Sequence, residues 1–121
     1  MAKSILIVDD DEMVRMALSE LLKPEGYEID SVGSAKEALD KINEKRYDLL
    51  ILDIIMPEMN GLELCKKVRA REDYNEIPII FLTAKSREDD RTLGIEAGAN
   101  LFLSKPISPQ KLLGIVSETI G

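Results

Sequence analysis

Apolar residues along the chain gather into five short runs: Ile5-Leu6-Ile7-Val8, Tyr27 to Val32, Leu49-Leu50-Ile51-Leu52, Ile79-Ile80-Phe81-Leu82 and Leu101-Phe102-Leu103. Each is strand-length and bounded by polar or turn-forming residues. Between and after them lie five helix-like stretches, roughly 12–23, 35–45, 61–71, 87–97 and 109–120. Their starts carry recognisable signals. Ser34 with Glu37, and Ser86 with Asp89, have the spacing in which a hydroxyl and a carboxylate satisfy opposite ends of a first turn. Ser108 precedes Pro109, which suits the first helical position, and Asp11 is the expected cap of the first helix. Gly26 and Gly98 fall where the first and fourth helices need a left-handed residue to close.

Strict βα alternation with short connections implies right-handed crossovers and a parallel sheet between two helical layers, an α/β doubly wound fold. The first, third and fourth runs are apolar at every position, as strands covered on both faces must be. The second alternates Glu28 and Asp30 with Ile29, and the fifth is very short, so these two are the expected edges. The order that satisfies this is 2-1-3-4-5, a flavodoxin-like five-stranded (βα)5 arrangement. Nothing resembles a repeat, a low-complexity tract or a linker, so residues 1–121 are expected to form a single domain.

Composition narrows the function classes. With 45% apolar and 32% charged residues there is enough material for a core and too much for a disordered chain. The net charge of -7 opposes a phosphate backbone, so direct nucleic-acid binding is not expected. Cys65 has no partner cysteine, and the chain has no histidine, which removes disulfide and zinc readings. No apolar run approaches a membrane span and the first residues do not read as a signal peptide, so a cytoplasmic location is expected.

In an open parallel sheet of this order the crevice lies beyond the carboxyl ends of the strands. The first strand ends in Asp9-Asp10-Asp11, the third in Asp53, the fourth in Thr83 and the fifth in Ser104-Lys105-Pro106. An acidic triplet alone reads most simply as a capping loop, Thr83 alone as a turn hydroxyl and Lys105 alone as a solvated charge. Four strand ends carrying a complementary set are hard to assign to chance. Carboxylates from separate loops repel by about 4 kcal/mol per pair at ~4 Å and an effective dielectric of about 20, so a positive charge is needed among them. Lys105 supplies one. Hard oxygen ligands without His or Cys suit Mg²⁺, Mn²⁺ or Ca²⁺, of which Mg²⁺ is the expected ion. Asp53, kept ionised by the metal and Lys105, is then a competent nucleophile toward phosphorus, with Thr83 placed to hydrogen-bond a phosphoryl oxygen.

These segments resemble the response-regulator receiver domains of two-component systems over essentially the whole chain. The likeness is carried by Ile5 to Asp11, Leu52-Asp53-Ile54-Ile55-Met56-Pro57-Glu58-Met59-Asn60-Gly61, Leu82-Thr83-Ala84, Gly94 to Ala99 and Lys105-Pro106. It implies that Asp53 is the phosphoacceptor, that Asp10, Asp53 and the Ile55 carbonyl ligate Mg²⁺, and that Asp9 acts mostly through metal-bound water. It further implies a cis peptide before Pro106 and an aromatic switch at Phe102, which here lacks the hydroxyl that would bond outside. The implied donor is a sensor histidine kinase or histidine phosphotransfer domain, and a downstream protein target would read the face of the fourth helix, fifth strand and fifth helix. A monomer or a weak phosphorylation-dependent dimer is expected.

Haloacid-dehalogenase-type phosphatases use similar parts, but their nucleophile is followed two residues on by an acid. Here that position is Ile55, which neither donates nor accepts a proton, so water attack should be slow and the chain a switch rather than an enzyme. A flavin mononucleotide binder of the same strand order would need a glycine- and hydroxyl-rich first loop in place of three aspartates. The fourth helix, with Leu93, Ile95 and Ala97 as its main apolar contacts, is expected to open cheaply. Met13 and Met16 on the first helix are the expected docking contacts for the donor.

Overall fold

The computed structural model describes residues 2–121. Five parallel strands, β1 (Ser4–Val8), β2 (Glu28–Val32), β3 (Leu49–Leu52), β4 (Ile79–Thr83) and β5 (Leu101–Ser104), form one sheet in the order β2-β1-β3-β4-β5. The helices are α1 (Glu12–Leu22), α2 (Ala35–Glu44), α3 (Gly61–Arg69), α4 (Glu88–Glu96) and α5 (Pro109–Ile120). Fold class and strand order are as the sequence implies. α1 and α3 end one and two residues short of the expected 23 and 71, and short 3₁₀ turns at Lys23–Glu25 and Glu72–Tyr74 follow them.

Strand alternation divides the core in two. Leu6, Val8, Leu50, Leu52, Ile79, Phe81 and Phe102 face α2, α3 and α4, while Ile5, Ile7, Leu49, Ile51, Ile80 and Leu82 face α1 and α5. The three inner strands are buried at every position because helices cover both faces, and edge strand β2 is largely open. At about 25 cal/mol per Å² of apolar surface removed from water, these two clusters supply most of the drive to fold.

Caps follow the sequence at three helices. The Asp11 carboxylate accepts from the Met13 N–H, the Ser34 hydroxyl from the Glu37 N–H and the Ser108 hydroxyl from the Lys111 N–H. Gly26 and Gly98 take the left-handed φ values of 94° and 114°. At α4 the expectation is corrected: the cap is Arg87, not Ser86, and its N–H donates to the Asp90 carboxylate at 3.1 Å. Of the apolar contacts expected of α4, Ala97 is buried and Leu93 and Ile95 are not. Leu93 and Ile95 are 48% and 47% exposed, and the helix is seated by Asp90, Gly94 and Ala97. The Phe102 ring sits so close to Gly94 that a Cβ there would lie 2.8 Å from the ring edge. A 3.6-residue period cannot put 93, 95 and 97 on one face, so the smallest residue decides which face approaches the sheet.

Candidate functional site

The carboxyl ends of β1 and β3 stop side by side, so Asp9, Asp10 and Asp53 emerge at the same rim. Their carboxylates each offer an oxygen, and these oxygens lie within 4.8 Å of one another. Asp9 and Asp53 are buried and Asp10 is exposed. Lys105, just past β5, reaches across β4 to join them: its Nζ donates to Asp9 Oδ2 at 2.7 Å and to Asp53 Oδ2 at 2.8 Å. Burial works against the Lys105 ammonium, but the two carboxylates outweigh it and hold its pKa above the ordinary lysine value. Burial pushes the Asp9 carboxyl above its ordinary value, and the hydrogen bond from Lys105 offsets only part of that. One ammonium therefore serves a cluster of three acids, which leaves it electron-rich.

The remaining carboxylate positions are specific. Asp9 Oδ1 accepts from the Asp11 N–H at 2.9 Å and Asp53 Oδ1 from the Ile55 N–H at 3.1 Å. Among the described residues the Asp10 carboxylate has no hydrogen-bond or ion-pair partner. Three carboxylates without sulfur or imidazole make an all-oxygen donor set, which fits a hard divalent cation with water completing its shell.

Thr83 ends β4 on the same rim, fully buried, its hydroxyl accepting from the Lys85 N–H at 3.1 Å. Its carbonyl accepts from the Lys105 N–H at 2.9 Å, so β4 and β5 deliver hydroxyl and ammonium in register. The Lys105–Pro106 peptide is cis. Phe102 is not at the rim. It is turned inward, 3% exposed, with its ring centroid 6.0 Å from that of Phe81 and the Arg91 guanidinium over its outer face. Ile55 is 53% exposed beside Asp53 and presents no titratable group there. Met13 and Met16, at 76% and 53% exposed, are surface residues near the rim and do not fill the core.

Two supports of the site escape sequence reasoning. Gly61 opens α3 directly against the backbone of Asp53, where a Cβ would lie 2.0 Å from the Asp53 carbonyl oxygen. Only a glycine permits that approach. The preceding Asn60 caps the helix by accepting from the Glu63 N–H, and Glu58 in the same loop adopts φ 66°, an uncommon conformation for a residue with a side chain. An Asn-Gly pair after a strand end was the available signal. Cys65 is buried, its thiol donating to the Ala97 carbonyl, and burial raises its pKa to about 11, which makes it an inert packing residue.

The family model described as response regulator receiver domain matches residues 5–117, and the chain belongs to that family. It is 38% identical over 112 residues to the alkaline phosphatase synthesis transcriptional regulatory protein PhoP of Bacillus subtilis, an alignment covering 93% of this chain and 46% of that protein. The chain thus spans about half the length of this curated relative. Among solved structures it resembles a putative response regulator of Chloroflexus aurantiacus, at 38% identity and a TM-score of 0.94, covering 99% of this chain and 98% of that one. It also resembles the receiver domain of a Pseudomonas aeruginosa sensor histidine kinase, described with a magnesium ion in its active-site cleft, at 30% identity and a TM-score of 0.91. That alignment covers 100% of this chain and 99% of the other. The chain is a receiver domain of the two-component response-regulator type, a family of phosphoacceptor switches rather than a class of enzymes.

Proposed function

We propose that residues 1–121 form a single receiver domain that takes a phosphoryl group onto Asp53 from the phosphohistidine of a sensor histidine kinase or histidine phosphotransfer domain. In that transfer an Asp53 carboxylate oxygen forms the new O–P bond as the N–P bond to the donor imidazole breaks, and the imidazole keeps the electron pair. The observation that carries the reading is Lys105 Nζ bridging Asp53 and Asp9 at 2.8 and 2.7 Å beside the unpartnered Asp10. Lys105 stays protonated and stabilises charge on the transferring oxygens, and the Thr83 hydroxyl exchanges its bond with the Lys85 N–H for one to a phosphoryl oxygen. Asp9, Asp10, Asp53 and the Ile55 carbonyl would hold Mg²⁺, with Asp9 acting mostly through metal-bound water. When bound, that ion neutralises phosphoryl charge and draws the attacking carboxylate and the phosphate together.

Ile55 gives water no base beside the aspartyl phosphate, so loss of the phosphoryl group is slow and the modified state persists as a signal. The added charge, about -1.5 to -2, draws Thr83 inward and shifts α4 and β5, with Phe102 as the switch residue. The surface of α4, β5 and α5, which exposes Leu93, Ile95 and Leu101, presents the change to a downstream protein. The donor docks over Met13 and Met16. A net charge of -7 disfavours direct nucleic-acid binding by this chain, and the domain works as a monomer or a weak phosphorylation-dependent dimer. Its proposed compartment is the cytoplasm, where the ATP that charges a histidine kinase is found.

Incubation with acetyl phosphate, read by intact mass, tests the assignment: a gain of about 80 Da that requires Mg²⁺ is expected, and Asp53→Asn should abolish it. Retention of the gain in that variant refutes Asp53 as the acceptor.

A further inference from the structure

Asp9 is tied down at every polar atom. Its N–H donates to the Val32 carbonyl at 3.1 Å, and its two carboxylate oxygens accept from the Asp11 N–H and Lys105 Nζ. Its carbonyl accepts from Arg15 Nη1 at 2.7 Å. That last bond is unlike the others, because it comes from a long side chain of α1 folded back over the helix's first turn. The Asp9 carbonyl belongs to the peptide that leads into Asp10, the residue with the free carboxylate. Whatever holds that carbonyl sets where the Asp10 side chain begins.

Arg15 is committed to this contact. Among the described residues no carboxylate lies within ion-pair distance of it. Its guanidinium rests against the loop after β2, where a Cβ on Gly33 would lie 3.0 Å from Arg15 Nη1 and 3.6 Å from Cζ. Gly33 is not among the residues of positive φ, so the glycine supplies room rather than backbone freedom. An alanine there would push the guanidinium by a few tenths of an ångström from the position in which it reaches the Asp9 carbonyl.

We propose that Arg15 is a positioning residue for the cation-binding loop, holding the Asp9 carbonyl so that Asp10 stays aimed into the rim, with Gly33 leaving the space its guanidinium needs. The inference rests on the reading of Asp9, Asp10 and Asp53 as a divalent-cation site. Charge and positioning make opposite demands. A guanidinium near the site repels a second cation, so if its charge were all that mattered, removing it would tighten Mg²⁺ binding. If it positions the loop, removing it weakens binding.

Isothermal titration of the full chain with Mg²⁺ separates these, with urea midpoints in EDTA measured alongside. Arg15→Ala is expected to raise the Mg²⁺ Kd about tenfold, about 1.4 kcal/mol. Gly33→Ala, which keeps the charge and the donor but displaces them, is expected to raise it at least threefold. An unchanged or lower Kd in Arg15→Ala overturns the inference, even if its urea midpoint falls, because a purely structural contact would move only the midpoint. Should Arg15→Ala fail to fold, a Gly33→Ala protein with the wild-type Kd overturns it instead. With Arg15→Ala folded and weakened, a wild-type Kd in Gly33→Ala overturns the role of Gly33 alone. A wild-type protein that binds no Mg²⁺ overturns the cation-site reading itself, a result distinct from a wild type that binds and an Arg15→Ala variant that binds equally.

Discussion

The two ends of the sheet treat polar groups in opposite ways. At the amino ends of the strands Tyr47, Tyr74 and Arg69 each meet matching partners. The Tyr47 hydroxyl donates to Asp30 Oδ2 at 2.7 Å, and the Tyr74 hydroxyl donates to the Lys45 carbonyl while accepting from the Tyr47 N–H. Arg69 spreads its guanidinium over the carbonyls of Gly98, Tyr74 and Ile77 and the Asn100 side chain, whose oxygen also accepts from the Ile79 N–H. At the carboxyl ends three carboxylates crowd around one lysine, and among the described residues Asp10 is left without a partner. One end closes the fold, while the other holds unrelieved repulsion that a cation or a phosphoryl group can exploit. Sites of this kind lower stability where function requires it.

The largest effect expected from disturbing this contrast is at Arg69. Arg69→Ala orphans three carbonyls in two loops, at about 1–3 kcal/mol for each buried group left unsatisfied, with part recovered by water. A loss of about 3 kcal/mol in urea unfolding is expected, and a loss below about 1 kcal/mol would mean that water replaces the guanidinium freely.

Next comes the response to acid, which should have opposite signs at the two ends. The hydrogen bond from Tyr47 lowers the Asp30 pKa below its ordinary 3.8. Its stabilisation is therefore present above the ordinary value and is lost as pH falls through the lower folded one. Burial raises the Asp9 pKa, so from Asp9 the fold is weakened as pH rises from its ordinary value through the higher folded one. Urea midpoints in EDTA between about pH 3 and 6 should show Tyr47→Phe losing about 1 kcal/mol at the upper end. Asp9→Asn should remove the decline that Asp9 causes over the same range; parallel curves for all three proteins would break the comparison.

A smaller gain is expected from Asp10→Asn. Removing an exposed, unpaired charge from an acidic cluster should stabilise the metal-free protein by about 0.5 kcal/mol, less at high salt, and abolish the added stability conferred by Mg²⁺. A destabilised metal-free variant would show that Asp10 has a structural partner. Least of all should change with Leu93→Ser or Ile95→Ser, each within about 0.5 kcal/mol because both side chains face solvent. Losses above about 2 kcal/mol would place them in the core after all.

Much of this molecule is legible in the order of its residues. Longer runs apolar at every position mark β1, β3 and β4 as doubly covered, while the alternation at Glu28 and Asp30 and the shortness of the fifth run place β2 and β5 at the edges. Once the order is known, strand ends converge by necessity, which is why Asp9, Asp10, Asp53, Thr83 and Lys105 could be brought to one rim without coordinates. These are consequences of local pattern and of chain connectivity, both of which a sequence carries.

What the tertiary structure decided are matters of distance and phase between elements remote in sequence. Arg15 reaching the Asp9 carbonyl past Gly33 depends on how α1 lies beside the loop after β2. Arg69 finds its acceptors up to 31 residues away. The phase of α4 differs from what apolarity at Leu93 and Ile95 implies because residue size at Gly94 determines how closely the helix seats on Phe102. Hydrophobic pattern specifies which faces are buried, but close packing of particular side chains settles which atoms meet.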